Sequence, residues 1–215
     1  MEITWLGHSC FRLKGRGVAL VTDPFDKSLA YPWGKPTADI VTVSHQHPGH
    51  SFVAGIGGKP RVVKAPGEYE ISGVSLTGIK TYHDAQKGQQ MGPNVVFVIE
   101  MEDLRICHLG DLGHVPTAEQ VEQIDGVDVL LIPVGGVTTI NAEQAAEIIR
   151  LVEPKLTIPM HYQTDLARPD LQPVSRFLKE TGLAEAPPPQ PKLVISKSSF
   201  PTGNLVLLEY PKPNV

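Results

Sequence analysis

The chain is poor in the features that would make its chemistry thiol-based, its setting a membrane or its partner a polyanion. Only two of its 215 residues are cysteine, Cys10 and Cys107. That is too few for a disulfide framework, and both lie in apolar strand-like segments where a reduced, buried thiol is expected. No apolar stretch approaches the length of a membrane span, and Met1-Glu2-Ile3 opens into a strand rather than a signal peptide. Cytoplasmic location is the default expectation. Positive charge is also scarce: 19 Lys and Arg against 23 Asp and Glu leave a formal net charge of -4, which gives no general attraction for RNA or DNA.

What remains is an ordinary globular composition, with 41% hydrophobic and 20% charged residues, in a chain long enough to bury a sizeable core. We read residues 1–215 as a single domain. The expected partner is a small-molecule substrate, with no nucleic acid and no membrane; assembly into a homo-oligomer is left open.

Histidine carries the chemistry. Three of the eight histidines fall in Ser44-His45-Gln46-His47-Pro48-Gly49-His50, directly after an apolar run. Neutral imidazole is the commonest metal ligand, and a loop leaving a strand can turn such side chains about one ion. Further candidates end their own strand-like segments: Tyr82-His83-Asp84, Gly110-Asp111 after the run from Leu104, and Pro159-Met160-His161. Functional groups gather in this way on loops held by a rigid sheet.

Strand patterns run from Ile3 to Leu6, Cys10 to Leu13, Val18 to Thr22, Ile40 to Val43, Arg61 to Lys64 and Tyr69 to Tyr82 in a first half. Val95 to Glu100, Leu104 to Leu109, Val129 to Val134 and Leu156 to Met160 make up a second. Their near-continuous Val, Ile and Leu suits strands buried on both faces. Asn141 with Gln144, and Thr117 with Gln120, have the spacing of capping boxes. A third helix is expected from Val174 to Thr181, closed by Gly182. The Pro-rich stretch 186–191 reads as an extended connector to a terminal hairpin of Leu193 to Ser196 and Leu205 to Tyr210.

These motifs resemble the metallo-β-lactamase superfamily, in particular small stand-alone hydrolases similar to the ascorbate-6-phosphate lactonase-like branch. The resemblance runs from Ile3-Thr4-Trp5-Leu6-Gly7-His8-Ser9 through Val21-Thr22-Asp23-Pro24, the His45 loop, His83 and the Gly110-Asp111 turn to Pro159-Met160-His161-Tyr162. It implies an α/β (α+β) fold, a four-layer αββα sandwich. It also implies His45, His47 and His83 on a first metal, His50 and His161 on a second, and Asp111 between them as the catalytic carboxylate. The family pattern is His-x-His-x-Asp-His, and Gly49 stands where its aspartate would be. One or two divalent ions are therefore expected, zinc by default with manganese and iron as the other two candidates.

Secondary candidates surround this set. Near the site floor, His8 either orients substrate or a ligand or is a turn residue, and Asp23 is read as structural, with orientation of a metal histidine as the alternative. Asp84 is the best placed replacement for the missing carboxylate, and His114 and Tyr162 are candidates to face the pocket. His108 is a core histidine or a support behind Asp111; Cys107 is not a nucleophile, because neighbouring strand residues point to opposite faces. Glu68 and Glu70 share a strand face but read as a solvated hairpin edge.

The expected function is metal-dependent hydrolysis of a small ester, lactone or phosphodiester, with the cation lowering the pKa of water towards about 7 and polarising the bond attacked. The alternative is a metal-binding, non-catalytic scaffold that lost turnover with the carboxylate at Gly49.

Overall fold

In the computed structural model, which describes residues 1–166, 170–182 and 186–213, twelve strands form two six-stranded sheets. The first contains β1 (Glu2–Gly7), β2 (Cys10–Lys14), β3 (Ala19–Thr22), β4 (Ile40–Thr42), β5 (Arg61–Val63) and β12 (Leu193–Val194), in the order β12-β1-β2-β3-β4-β5. The second contains β6 (Gly67–Ile71), β7 (Val74–Tyr82), β8 (Pro93–Met101), β9 (Leu104–His108), β10 (Val129–Pro133) and β11 (Leu156–Met160), in the order β11-β10-β9-β8-β7-β6. Both are mixed: β3, β4 and β5 run parallel, as do β9, β10 and β11, and the hairpins are antiparallel. Every residue of β10 and β11 is buried, as continuous apolar runs in a covered parallel sheet require.

The main core joins Ile3, Trp5, Phe11 and Leu13 of the first sheet to Leu76, Phe97, Ile99 and Ile106 of the second. Three helices, α1 (Ala118–Ile124), α2 (Ala142–Val152) and α3 (Val174–Glu180), all follow strands of the second sheet. Thr117 and Asn141 each accept from the backbone N–H three residues on, and Gln120 and Gln144 reach back, so both capping boxes form. On α2, Ala145, Ile148 and Val152 make the buried stripe. The first sheet is covered differently. Phe25, Leu29 and Tyr31, from the long loop after β3, pack on Cys10, Val21 and Val41.

Two boundaries differ from the expected ones. The run from Tyr69 to Tyr82 is a hairpin, broken at Ser72 (φ 53°) and Gly73 (φ 76°), a two-residue turn with both φ positive. Because β6 and β7 then pair with β8, the division between sheets falls before Gly67 rather than after Tyr82. At the C-terminal end, Leu193 and Val194 pair with β1, whereas Leu205 bridges Thr157 beside β11. The two segments therefore serve opposite sheets and do not form a hairpin with each other. Leu205, Val206, Leu207 and Leu208 are all buried, which a half-solvated hairpin strand would not be.

Candidate metal centre

Six side chains meet where six strands end. Gly7 closes β1 before His8, Thr22 closes β3 before Asp23, and β4 leads through Val43 and Ser44 to His45. On the second sheet Tyr82 precedes His83, His108 leads through Leu109 and Gly110 to Asp111, and Met160 precedes His161. The residues arrive from both sheets, so only the closed sandwich assembles them.

Asp111 is the point of convergence. Its Oδ2 lies 3.2 Å from His50 Nε2, 3.3 Å from His83 Nε2, 3.3 Å from His161 Nε2 and 3.8 Å from His45 Nε2. A carboxylate oxygen has two lone pairs and cannot accept from four donors at once. Burial alone would raise the Asp111 carboxyl; the facing His161 and His50 imidazoles override it and hold it well below the usual carboxylate range.

Asp23 sets the orientation of two of these rings. His50 Nδ1 is 3.0 Å from Asp23 Oδ2, which accepts its proton and leaves Nε2 turned towards Asp111. Ser44 donates its hydroxyl to Asp23 Oδ2 at 2.5 Å and its backbone N–H to Oδ1 at 2.7 Å. The same hydroxyl oxygen, 2.9 Å from His45 Nδ1, accepts that ring's proton. His45 Nε2 is then a buried lone pair without a hydrogen-bond partner among the described residues, an arrangement that costs free energy unless something binds it. The two rings are driven in opposite directions. Burial, then the charge of His50, pushes His45 down to about 3. Burial also opposes charge on His50, but Asp111 and Asp23 raise it to about 10.

The donors sort into clusters whose ligand atoms lie within 4.8 Å of one another: His45, His47 and His83 in one, and His8, His50 and His161 in another. A lone pair turned inward, a shared anionic oxygen and two imidazole clusters fit a divalent cation. They offer oxygen and nitrogen donors and no thiolate: Cys10 is a buried core residue, and Cys107 is wholly buried, its thiol pushed up by desolvation.

Other expectations change. Asp84 does not replace the missing carboxylate. Its Oδ1 accepts from the N–H groups of Gln86 and Gly88 and its Oδ2 from those of Gln90 and Met91, at 2.8 to 3.0 Å. These hydrogen bonds, led by that of Met91 and opposed only by desolvation, bring it down to about 2 and engage it in organising its own loop. His114 faces the Tyr82 backbone, whose N–H it accepts at 3.3 Å, and Tyr162 packs on Trp5 with ring centroids 5.1 Å apart. Neither lines the cleft over the histidines. His108 supports the site floor, with Nε2 donating to the Ser9 carbonyl at 2.8 Å. Glu68 and Glu70 lie exposed on β6.

Two further residues, Ser44 and Asn94, support the site. Ser44 couples Asp23 to His45, and Asn94 accepts from the Asp111 N–H at 3.0 Å while donating to Leu109 O. Gly110 (φ 57°) permits this approach, since a Cβ there would come within 2.5 Å of Asn94 Oδ1 and Ser44 Cβ. Gly110 carries a local sequence signal in the Gly110-Asp111 pair, whereas the roles of Ser44 and Asn94 depend on distant segments.

The sequence matches the β-lactamase superfamily domain over residues 2–161. It is 32% identical to a UPF0173 metal-dependent hydrolase of Thermoplasma acidophilum over 79% of this chain and 87% of the relative. A similarly named protein of Methanoculleus marisnigri is 30% identical over 84% and 90% of the two chains. Among solved structures, a candidate Zn-dependent hydrolase of the metallo-β-lactamase superfamily from Thermotoga maritima is 42% identical, with a TM-score of 0.80 over 97% of this chain and 98% of that one.

Proposed function

Because the chain belongs to the metallo-β-lactamase superfamily, we propose that it is a metal-dependent hydrolase of a small, neutral ester or lactone. The observation that carries this reading is the approach of four imidazole Nε2 atoms to Asp111 Oδ2. His45, His47 and His83 would hold one cation, His50 and His161 would contribute to a second, and Asp111 would supply the carboxylate beside them. A divalent ion bound there supplies a Lewis acid and makes water available as a nucleophile near neutral pH.

The remaining work belongs to the chain. Asp23 takes the Nδ1 proton of His50 directly and, through Ser44, that of His45, so both rings turn Nε2 inward. Asn94 holds the backbone of Asp111, and the Asp84-braced loop brings Met91 to the cleft wall. The cleft has a volume of about 360 Å³, the size of a small-molecule site. Ser28, Leu29, Met91 and Thr138 line it together with the histidines, and no lysine or arginine among the described residues does so. Without a lysine or arginine to add to the ions' grip on a phosphate, a neutral acyl substrate is the reading we favour over a phosphodiester. Ser28 and Thr138 contribute hydroxyl-bearing side chains to the lining.

Chelator-stripped protein reconstituted with zinc, manganese or iron(II) and assayed on simple esters, lactones and phosphodiesters tests this reading. Metal-restored turnover of an ester or lactone supports it; turnover confined to phosphodiesters overturns the substrate class. Metal binding with no turnover of any member favours the scaffold.

A further inference from the structure

Gly49 offers no side-chain donor where the family resemblance implies an aspartate, and the structure shows which side chain borders that position. A Cβ built on Gly49 would point onto the His8 imidazole, 3.4 Å from Nε2 and 3.5 Å from Cδ2. His8 is buried, and its ring centroid stands 4.8 Å from that of His50 and 4.2 Å from that of His161. The three rings each offer a nitrogen within 4.8 Å of the others. Resting on the hydrolase reading above, we propose that His8 is a ligand of the second cation, standing in for the missing carboxylate in a His8, His50, His161 cluster beside Asp111.

The backbone supports this independently of ring distances. His8 has φ 54° and His161 φ 51°, both in the left-handed region that non-glycine residues avoid. The strained turn is held from two sides. Trp5 Nε1 donates to the His8 carbonyl at 2.9 Å, and the His161 N–H donates to the same oxygen at 3.2 Å. That second bond ties the backbones of two proposed ligands together, so the placement of one ring is coupled to the other. Strain maintained in this way at neighbouring residues belongs with functional placement. Before it, Gly7 (φ 116°) lets the turn pass beneath Tyr31, whose ring a Cβ would approach to 2.5 Å.

The exchange of carboxylate for imidazole has a chemical consequence. It takes one negative charge from the second position and leaves Asp111 as the anion shared by both. An imidazole-rich set selects zinc, cobalt or iron over magnesium and calcium, which prefer oxygen.

The test uses the full chain, stripped of metal and titrated with cobalt(II), read by visible absorption and calorimetry, with elemental analysis for stoichiometry. Wild type is expected to take two equivalents. His8→Ala should keep the first and bind the second about a hundredfold more weakly, and adding Gly49→Asp to that variant should restore it. If His8→Ala fails to fold, His8→Asn, which tolerates the left-handed backbone, gives the same reading. A folded His8 variant with two equivalents of unchanged affinity, or with neither, overturns the proposal, as does a wild type that binds only one. A wild type that binds none overturns instead the hydrolase reading on which it rests.

Discussion

Gly49 faces His8: the direction in which a side chain would leave the glycine ends 3.4 Å from the imidazole Nε2. This is ordinary van der Waals distance, and Gly49 does not adopt the left-handed conformation that would exclude other residues. A Cβ therefore fits at Gly49, whereas the carboxylate beyond it must share the space next to the His8 ring. Gly49→Asp should accordingly tighten the second equivalent of metal by about tenfold in a His8→Ala background and by less where His8 is present. Calorimetric titration in both backgrounds decides; unchanged affinity in the His8→Ala background would mean that a carboxylate at this position cannot reach the ion.

Asp23 acts on two imidazoles, and its removal should weaken both metal positions. Asp23→Asn keeps the shape and tolerates the φ of 38°, but loses the charge that fixes His50 and, through Ser44, His45. Metal affinity should fall about 10- to 100-fold. A drop in melting temperature of the metal-free protein with unaltered affinity would reduce Asp23 to a brace for its turn.

The acid limb of stability should carry a contribution far from the site. Asp128 is buried; desolvation raises its carboxyl, but hydrogen bonds from Lys155, the Arg105 N–H and Lys197 prevail and lower it. A depressed folded-state value means that this stability is present above the unfolded value of about 3.9 and is lost as pH falls through the folded one. Both lysines are exposed, which screens their share. Asp128→Asn should cost about 1 to 3 kcal/mol at neutral pH, and the difference from wild type should shrink as pH falls below the unfolded value and through the lower folded one. Denaturant melts across pH measure this, and a difference that stays constant throughout the acid range would contradict it.

Much of this arrangement was legible in the sequence because it is local. The His45 loop, the histidines at strand ends and the two capping boxes each announce themselves within a few residues, and His45, His47, His50, His83, Asp111 and His161 do come together. What stayed hidden depends on contacts between distant segments. Ser44 is an unremarkable serine until Asp23 is beside it, and Asn94 until the turn from Leu109 to Asp111 crosses it. Asp84 is adjacent to His83 in sequence, yet four backbone N–H groups of the following loop claim its oxygens. The Ser72-Gly73 turn was masked by Ile71 and Val74, which continue the apolar pattern across it.

Asp111→Asn tests the central claim most directly, because four histidines face the one oxygen it alters. The amide preserves shape and removes the anion between the two proposed cations. Metal content by elemental analysis should fall below that of wild type prepared in parallel, and turnover of whichever ester or lactone the reconstituted enzyme cleaves should drop by about a thousandfold or more. Melting of the metal-free forms must be compared as well, since bound metal stabilises the folded state. The account predicts lost metal and lost turnover in a folded protein; wild-type metal content with wild-type turnover in the Asn variant would contradict it.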